Sequence, residues 1–281
     1  MSSQLHPSIA LWSDNSRMLV MRPERPLAFR YAGARESSPR SRRGEVAMTL
    51  SKAEKVLSTP AYPFVEAAHY LNLPLSTLRA WCLGQPMRPT PSSRQFKPLI
   101  HMDDRDLRSL SFLNLVEAHV LAALRRQHNI PLPKVRRALD FVARRLRSAR
   151  PLAEMQFQTD GVDLFVERLG SLINVSQDGQ TEMAEVIRQH LKRIERNAQG
   201  IPVKLYPFTR SDERADQPAT VVIDPRIAFG RPVLVGRSVP TAVLADRFKA
   251  GETFEQLAGD YDISAKSVEE AIRCELERQA A

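Results

Sequence analysis

Ser76, Thr77 and Arg79 stand together near the start of a short segment running to Leu83, whose apolar residues keep a helical spacing. Two hydroxyls and a guanidinium at the amino-terminal end of a helix are groups that can reach base edges in a major groove. Such a helix needs a supporting partner and a tight turn. Phe64-Val65-Glu66-Ala67-Ala68-His69-Tyr70-Leu71 offers one apolar helical face, and Asn72-Leu73-Pro74-Leu75 breaks it. Ser76 is placed to cap the second helix and Gly84 to stop it. Two short helices so joined have the helix-turn-helix pattern, in which Trp81 reads as core.

Beyond the pair, Gln85-Pro86-Met87-Arg88-Pro89-Thr90-Pro91 must be extended, because its prolines exclude helix. Ser92 to Ile100 alternates well enough for a wing strand. Arg88, Arg94 and Lys97 are the candidate phosphate contacts there. Arg136, Arg137, Arg144 and Arg145 lie on the polar side of a later helix, where a solvated face serves as well as DNA.

No comparable constellation points to catalysis. His6, His69, His101, His119, His128 and His190 are scattered without metal-ligand spacing, and the 11 glycines form no phosphate loop ahead of a helix. Asp103, Asp104 and Asp106 precede a helix, where carboxylates favour the positive terminus. Cys82 and Cys274 lack Cys-x-x-Cys spacing and read as ordinary thiols. No run approaches the ~18 apolar residues that cross a bilayer, and the start lacks the pattern of a secretory signal. The expectation is a cytoplasmic protein, not an enzyme, with no metal, cofactor or membrane partner.

Charge separates the chain into parts. Of 281 residues, 41 are Lys or Arg and 32 Asp or Glu, a formal net of +9. Residues 48–150 hold 17 basic and 7 acidic side chains, whereas 151–218 hold 8 and 11, and 219–281 hold 8 and 10. The basic character therefore belongs to one module, which argues against a general polyanion binder. Residues 1–61 are expected to form a flexible basic arm, most plainly over 1–47, where Arg, Ser and Pro recur without an apolar period. Residues 209–218 are polar throughout and read as a linker.

Between front and linker, residues 151–208 predict a small α/β assembly segment. Leu152 to Thr159 alternates, Asp160-Gly161 signals a turn and Val162 to Val166 follows, which predicts a β-hairpin. Leu172 to Ser176 predicts a strand, Gln177 to Gln180 a turn, Met183 to Ile194 a helix, and Val203 to Phe208 an extended edge. In the rear, 219–281, Pro240 suits the first position of a helix, Thr253 and Gln256 form a capping box for a second, and a third follows Ser264. The predicted fold class is α+β, predominantly helical: a winged helix-turn-helix, a small β-containing middle segment and a three-helix rear module.

Two stretches carry family resemblance. Thr77-Leu78-Arg79-Ala80-Trp81, then Pro89 with Arg94-Gln95-Phe96-Lys97, then Asp104-Arg105-Asp106-Leu107-Arg108-Ser109-Leu110 resemble the MerR family of winged helix-turn-helix proteins, over about residues 62–147. A helical spacing continues through Leu107, Leu110, Leu113, Val116, Val120 and Leu124. The resemblance implies that Ser76, Thr77 and Arg79 meet the major groove and that the wing meets the backbone of operator DNA. Gly230-Arg231-Pro232-Val233-Leu234-Val235-Gly236-Arg237-Ser238-Val239-Pro240 is similar to a bacterial domain family of unknown function found in VapB-type antitoxin-like proteins, beside PIN-domain toxin genes.

Front and rear together look like a mycobacterial VapB-like antitoxin. That resemblance implies a type II toxin–antitoxin system, in which residues 62–150 bind operator DNA and the rest mediates homodimer formation and contact with a cognate PIN-domain ribonuclease toxin. Arg231 and Arg237 are the candidate partner-binding residues, with pairing to Asp224 and Asp246 as the simpler alternative. The last helix carries more acid than base and suits protein contact better than DNA. The other reading is a stand-alone MerR-like transcriptional regulator whose back half senses a small molecule or dimerises.

Overall fold

Prolines set the starts of several helices in the computed structural model, which describes residues 52–84, 97–102, 108–127, 130–210 and 217–276. Helix α1 (Lys52–Ser58) leads through strand β1 (Tyr62–Pro63) into α2 (Phe64–Tyr70), for which Pro63 is the N-cap. Asn72, at φ 50°, turns the chain into α3 (Leu75–Leu83), a left-handed position that Asn tolerates well. Pro74 is the N-cap of α3 and there is no side-chain cap, so Ser76 lies one residue inside the helix rather than capping it. Gly84, at φ 79°, ends it as expected.

Strand β2 (Ser109–Leu110) pairs antiparallel with β1, Tyr62 opposite Leu110. Leu110 thus belongs to a strand, and the helix expected to include it, α4 (Phe112–Gln127), begins two residues later. Helix α5 (Leu132–Leu146) follows Pro131 and buries Val135, Ala138, Leu139 and Val142 along one face. The polar Arg137, Arg144 and Arg145 fall on its exposed side.

The middle segment departs most from expectation. Residues 151–173 form no hairpin: a 3-10 turn (Pro151–Ala153) and a π-helical turn (Phe157–Gly161) lead into α6 (Val162–Ile173). Val162, Phe165, Val166 and Leu169 are buried at helical spacing. A Cβ on Gly161 would lie 2.8 Å from the Phe157 ring and 3.2 Å from Leu146, so this glycine permits close packing rather than a turn. Asn174 closes α6 in a left-handed conformation, and Ser176 caps α7 (Gln177–Leu191), accepting a hydrogen bond from Gly179 N. The strand expected at 172–176 is therefore a helix junction. Strands β3 (Ile194–Arg196) and β4 (Pro202–Leu205) form the segment's hairpin, so Ile194 leaves the predicted helix while the extended stretch after Pro202 stands.

In the rear, β5 (Val221–Val222) pairs with β6 (Val233–Leu234), and α8 (Thr241–Lys249), α9 (Phe254–Tyr261) and α10 (Ala265–Leu276) follow. Pro240 is the N-cap of α8 rather than its first residue. Thr253 and Gln256 make both bonds of a capping box.

Buried apolar side chains form two clusters. One runs from Leu57 to Ile223 and includes Trp81, Phe112, Phe157 and Phe165; the other joins Val221, Leu234, Leu244, Leu257, Val268 and Ile272. Helix α5 packs on α6 and α4 on α7, so the middle segment buries its apolar faces against the front helices. Among the described residues no helix is long and apolar enough to cross a membrane.

Candidate nucleic-acid interface

Helix α3 divides cleanly by burial. Leu78, Ala80, Trp81 and Cys82 face the core, Ser76 and Arg79 are exposed, and Thr77 is half-buried. Arg79 makes no ion pair among the described residues, so its guanidinium is available to a ligand rather than spent inside the module. Trp81 is core, as its spacing predicts. Burial, with the nearby Glu117 charge, pushes the Cys82 thiol up to about 12, which makes it a packing residue with little thiolate character.

The described end of the expected wing is tied to this helix. Leu99 N and Ile100 N both donate to the Trp81 carbonyl, at 2.7 and 3.0 Å. Arg136 donates to the carbonyls of Lys97 and Pro98, which places α5 under the returning chain. His101 O accepts from Asn114 Nδ2 at 2.8 Å, and Asn114 is itself bonded to Ser111 and to buried Glu117. Lys97 is therefore an exposed cation on a segment held against the carboxy-terminal end of α3. Arg88 and Arg94 lie outside the described residues, as do Asp103, Asp104 and Asp106; of the strand expected from Ser92 to Ile100 only residues 97–100 are described, and they form no strand.

The rear module touches the front helices directly. His69 Nε2 on α2 lies 3.2 Å from Glu275 Oε2 on α10, and the other oxygen of Glu275 accepts from Thr241 Oγ1 at 2.5 Å. Gly230, at φ 78°, sits over the Tyr62 hydroxyl, leaving no room there for a Cβ. Burial first, and then the Tyr70 and Asp224 charges, push the Tyr62 phenol well above its ordinary value.

Two buried acids fix the rear module's connection. Asp224 accepts from Arg226 N, Nε and Nη2, at 2.9, 2.8 and 2.6 Å. Glu270 accepts from the Thr209 hydroxyl and from Arg210, at 2.9 Å to Nη2. Burial alone would raise both carboxyls, but these hydrogen bonds outweigh it and hold both below the usual carboxylate range. A carboxyl lowered on folding contributes stability above its unfolded value, about 4, and loses it as pH falls through the folded one. The melting temperature is therefore expected to be flat from neutrality to about pH 5 and to drop below that. Glu270→Gln should shallow the acid limb, and an identical limb in the variant would remove Glu270 from the account.

Arg231 is exposed and makes no ion pair among the described residues, whereas Arg237 pairs with Asp262. Neither takes the alternative acids, since Asp224 is held by Arg226 and Asp246 by Lys249. Among the described residues no group of three or more His, Cys, Asp or Glu could hold a metal ion.

Residues 60–139 match the family model described as "Putative DNA-binding HTH domain", and residues 221–273 match "Protein of unknown function (DUF433)". A protein of Mycobacterium tuberculosis named "Putative antitoxin VapB45" is 31% identical over 231 residues, covering 76% of this chain and 92% of the relative. The chain belongs to the VapB45 family. A second relative from that organism, "Uncharacterized protein Rv2308", is 23% identical over 77% of this chain and 90% of its own. The crystal structure of Rv2018 from Mycobacterium tuberculosis superposes with a TM-score of 0.56 at 25% identity, over 76% of this chain and 98% of the other.

In this VapB45-family chain the helix-turn-helix domain carries Ser76, Thr77 and Arg79 on α3 and Lys97 beside the carboxy-terminal end of that helix, while Arg231 and Arg237 stand on the rear module. What sequence reasoning missed is the contact between the two. His69 and Glu275 are 206 positions apart, and neither periodicity nor a local motif signals such a pair.

Proposed function

We propose that this chain is the antitoxin of a type II toxin–antitoxin pair, acting in the cytoplasm as a homodimer. It reads operator DNA through a MerR-like front and neutralises a PIN-domain ribonuclease toxin with its middle and rear segments. The observation that carries the reading is the similarity, over 76% of this chain and 92% of the relative, to a protein named as an antitoxin, joined to a helix-turn-helix whose second helix leaves Ser76 and Arg79 exposed. Ser76, Thr77 and Arg79 would meet bases; Arg88, Arg94 and Lys97 would meet phosphates. The domains would run 62–150 for the reader, 151–208 for assembly and 219–281 for the toxin-facing module, with 209–218 between.

Co-expression tests the whole. Growth arrested by the toxin from the neighbouring reading frame should be rescued by this chain, and failure of rescue with both proteins present would overturn the antitoxin reading. For the reader, Arg79→Ala should weaken specific operator binding by about 1–3 kcal/mol and relax the preference at one base position. Lys97→Ala should weaken all sequences alike and reduce the salt slope by about one. Unchanged operator affinity in a shift assay would remove Arg79 from the interface.

One observation favours the second reading, a small-molecule-sensing regulator. A cleft of about 510 Å³ lies among Leu57, Leu113, Arg150, Glu154, Met155 and Ile201. Ligand-dependent operator affinity in the absence of any toxin is its signature.

A further inference from the structure

Phe229 is 95% exposed, the largest departure from apolar burial among the described residues. It stands in a loop that runs from Asp224 to Arg231 between β5 and β6. Ala228 and Phe229 are consecutively left-handed, at φ 48° and 56°, and Gly230 follows at 78°. A left-handed backbone is unfavourable for a residue with a Cβ, and two in succession persist only where the surroundings dictate them.

The surroundings here do so. Asp224 Oδ1 accepts from Arg226 N, and Asp224 O accepts from Ile227 N at 2.9 Å. Ile227 O accepts from Gly230 N at 2.8 Å, and Ala228 O from Arg231 N at 3.1 Å. Gly230 is seated on the buried Tyr62 hydroxyl. The loop is thus a rigid scaffold whose strain serves to turn a phenyl ring outward, with a cation that makes no ion pair among the described residues two positions away.

We propose that Phe229 and Arg231 form the anchor by which the rear module binds its protein partner, the phenyl ring entering an apolar pocket and Arg231 pairing with a carboxylate on the pocket's rim. The inference rests on the antitoxin reading, which makes that partner the toxin. Aromatic and arginine side chains dominate interface hot spots, and a ring already fixed in its bound pose loses little freedom on association. Arg231 decides the chemistry of the rim: its exposed charge is complemented by an acid and repelled by a base.

The test uses the full chain and the purified product of the neighbouring toxin gene. Phe229→Ala should weaken their complex by about 30-fold or more, and Arg231→Ala by about 5- to 10-fold with a shallower salt dependence. Phe229→Leu, which keeps an apolar knob, should stay within about 5-fold of the parent. Operator affinity should be the same in all three, because both side chains are exposed on the rear module.

Three results would overturn the proposal. Parent protein that binds while Phe229→Ala binds within about 3-fold would sink the anchor and leave the antitoxin reading standing. Parent protein that does not bind the toxin would end both. Loss of operator affinity in Phe229→Ala would make the loop a support for the reader.

Discussion

Arg193→Ala is expected to lower the unfolding free energy by about 3–5 kcal/mol, because one side chain ties down both described ends of the connection into the rear module. Its Nε donates to Tyr206 O at 2.9 Å, Nη1 to Gln217 O at 2.9 Å, and Nη2 to Pro207 O and Pro218 O at 3.0 and 3.2 Å. Its guanidinium also lies 4.8 Å over the Phe208 ring. Burial pulls the pKa of Arg193 down, and carbonyl dipoles are what sustain its charge. Removal would strand buried carbonyls and loosen the register in which Leu205 and Ile223 exchange hydrogen bonds at 3.0 and 2.8 Å. Arg193→Lys keeps the charge but not the fork, and should recover less than half of the loss. Urea unfolding measures the change, and amide exchange at Leu205 and Ile223 locates it. An unchanged urea midpoint would show that the fork is ornamental.

Phe165→Ala should cost a similar amount, about 3–5 kcal/mol, and the loss should appear where no DNA contact is being altered. The ring is fully buried on α6, edge-on to Phe157 with centroids 6.1 Å apart. Helix α6 packs on α5 of the reader, and both lie in one apolar cluster. Trp81, inside α3, is a fluorescent reporter for the reader itself once the second tryptophan, Trp12, is replaced by Phe. Its denaturation midpoint is expected to fall in step with far-ultraviolet circular dichroism in Phe165→Ala. A Trp81 transition that stays in place while the helical signal shifts would show that the front stands without the middle.

The front was legible from local pattern because local pattern is what builds it. Pro74, Gly84 and the spacing of Leu78, Trp81 and Cys82 act within one turn of helix, and the exposed face bearing Ser76 and Arg79 is simply the complement of the buried one. Within α3 the cap was misplaced, by reading Ser76 as the boundary when Pro74 already occupied it, and Leu110 proved to belong to a strand.

The middle was not legible, for a reason visible in Gly161. Asp-Gly signals a turn when the glycine supplies a left-handed backbone, but Gly161 has φ −75° and a helical ψ. It lacks a side chain because the Phe157 ring and Leu146 fill the space. Part of that demand, the Leu146 contact, comes from a neighbouring helix and lies outside any short window around residue 161. Likewise the alternation across 152–159 mixes Leu152 and Ala153 on a 3-10 turn with Phe157 on a π-helical one, a sequence of short irregular turns that imitates a strand. In the rear, the capping box at Thr253 was readable, whereas Phe229 was not, since an apolar residue between Ala228 and Gly230 carries no sign that it faces outward.

The seat of Gly230 on Tyr62 bears on how such chains can diverge. Position 230 belongs to the rear module and position 62 to the first strand of the reader, yet they share one volume. A side chain gained at 230 must be matched by a smaller one at 62, and the order of the two changes matters, since only the loss at 62 can come first without a clash. Reader and rear module are therefore not free to be exchanged among relatives as independent cassettes; a graft that brings a new rear module must bring, or find, a compatible residue at 62.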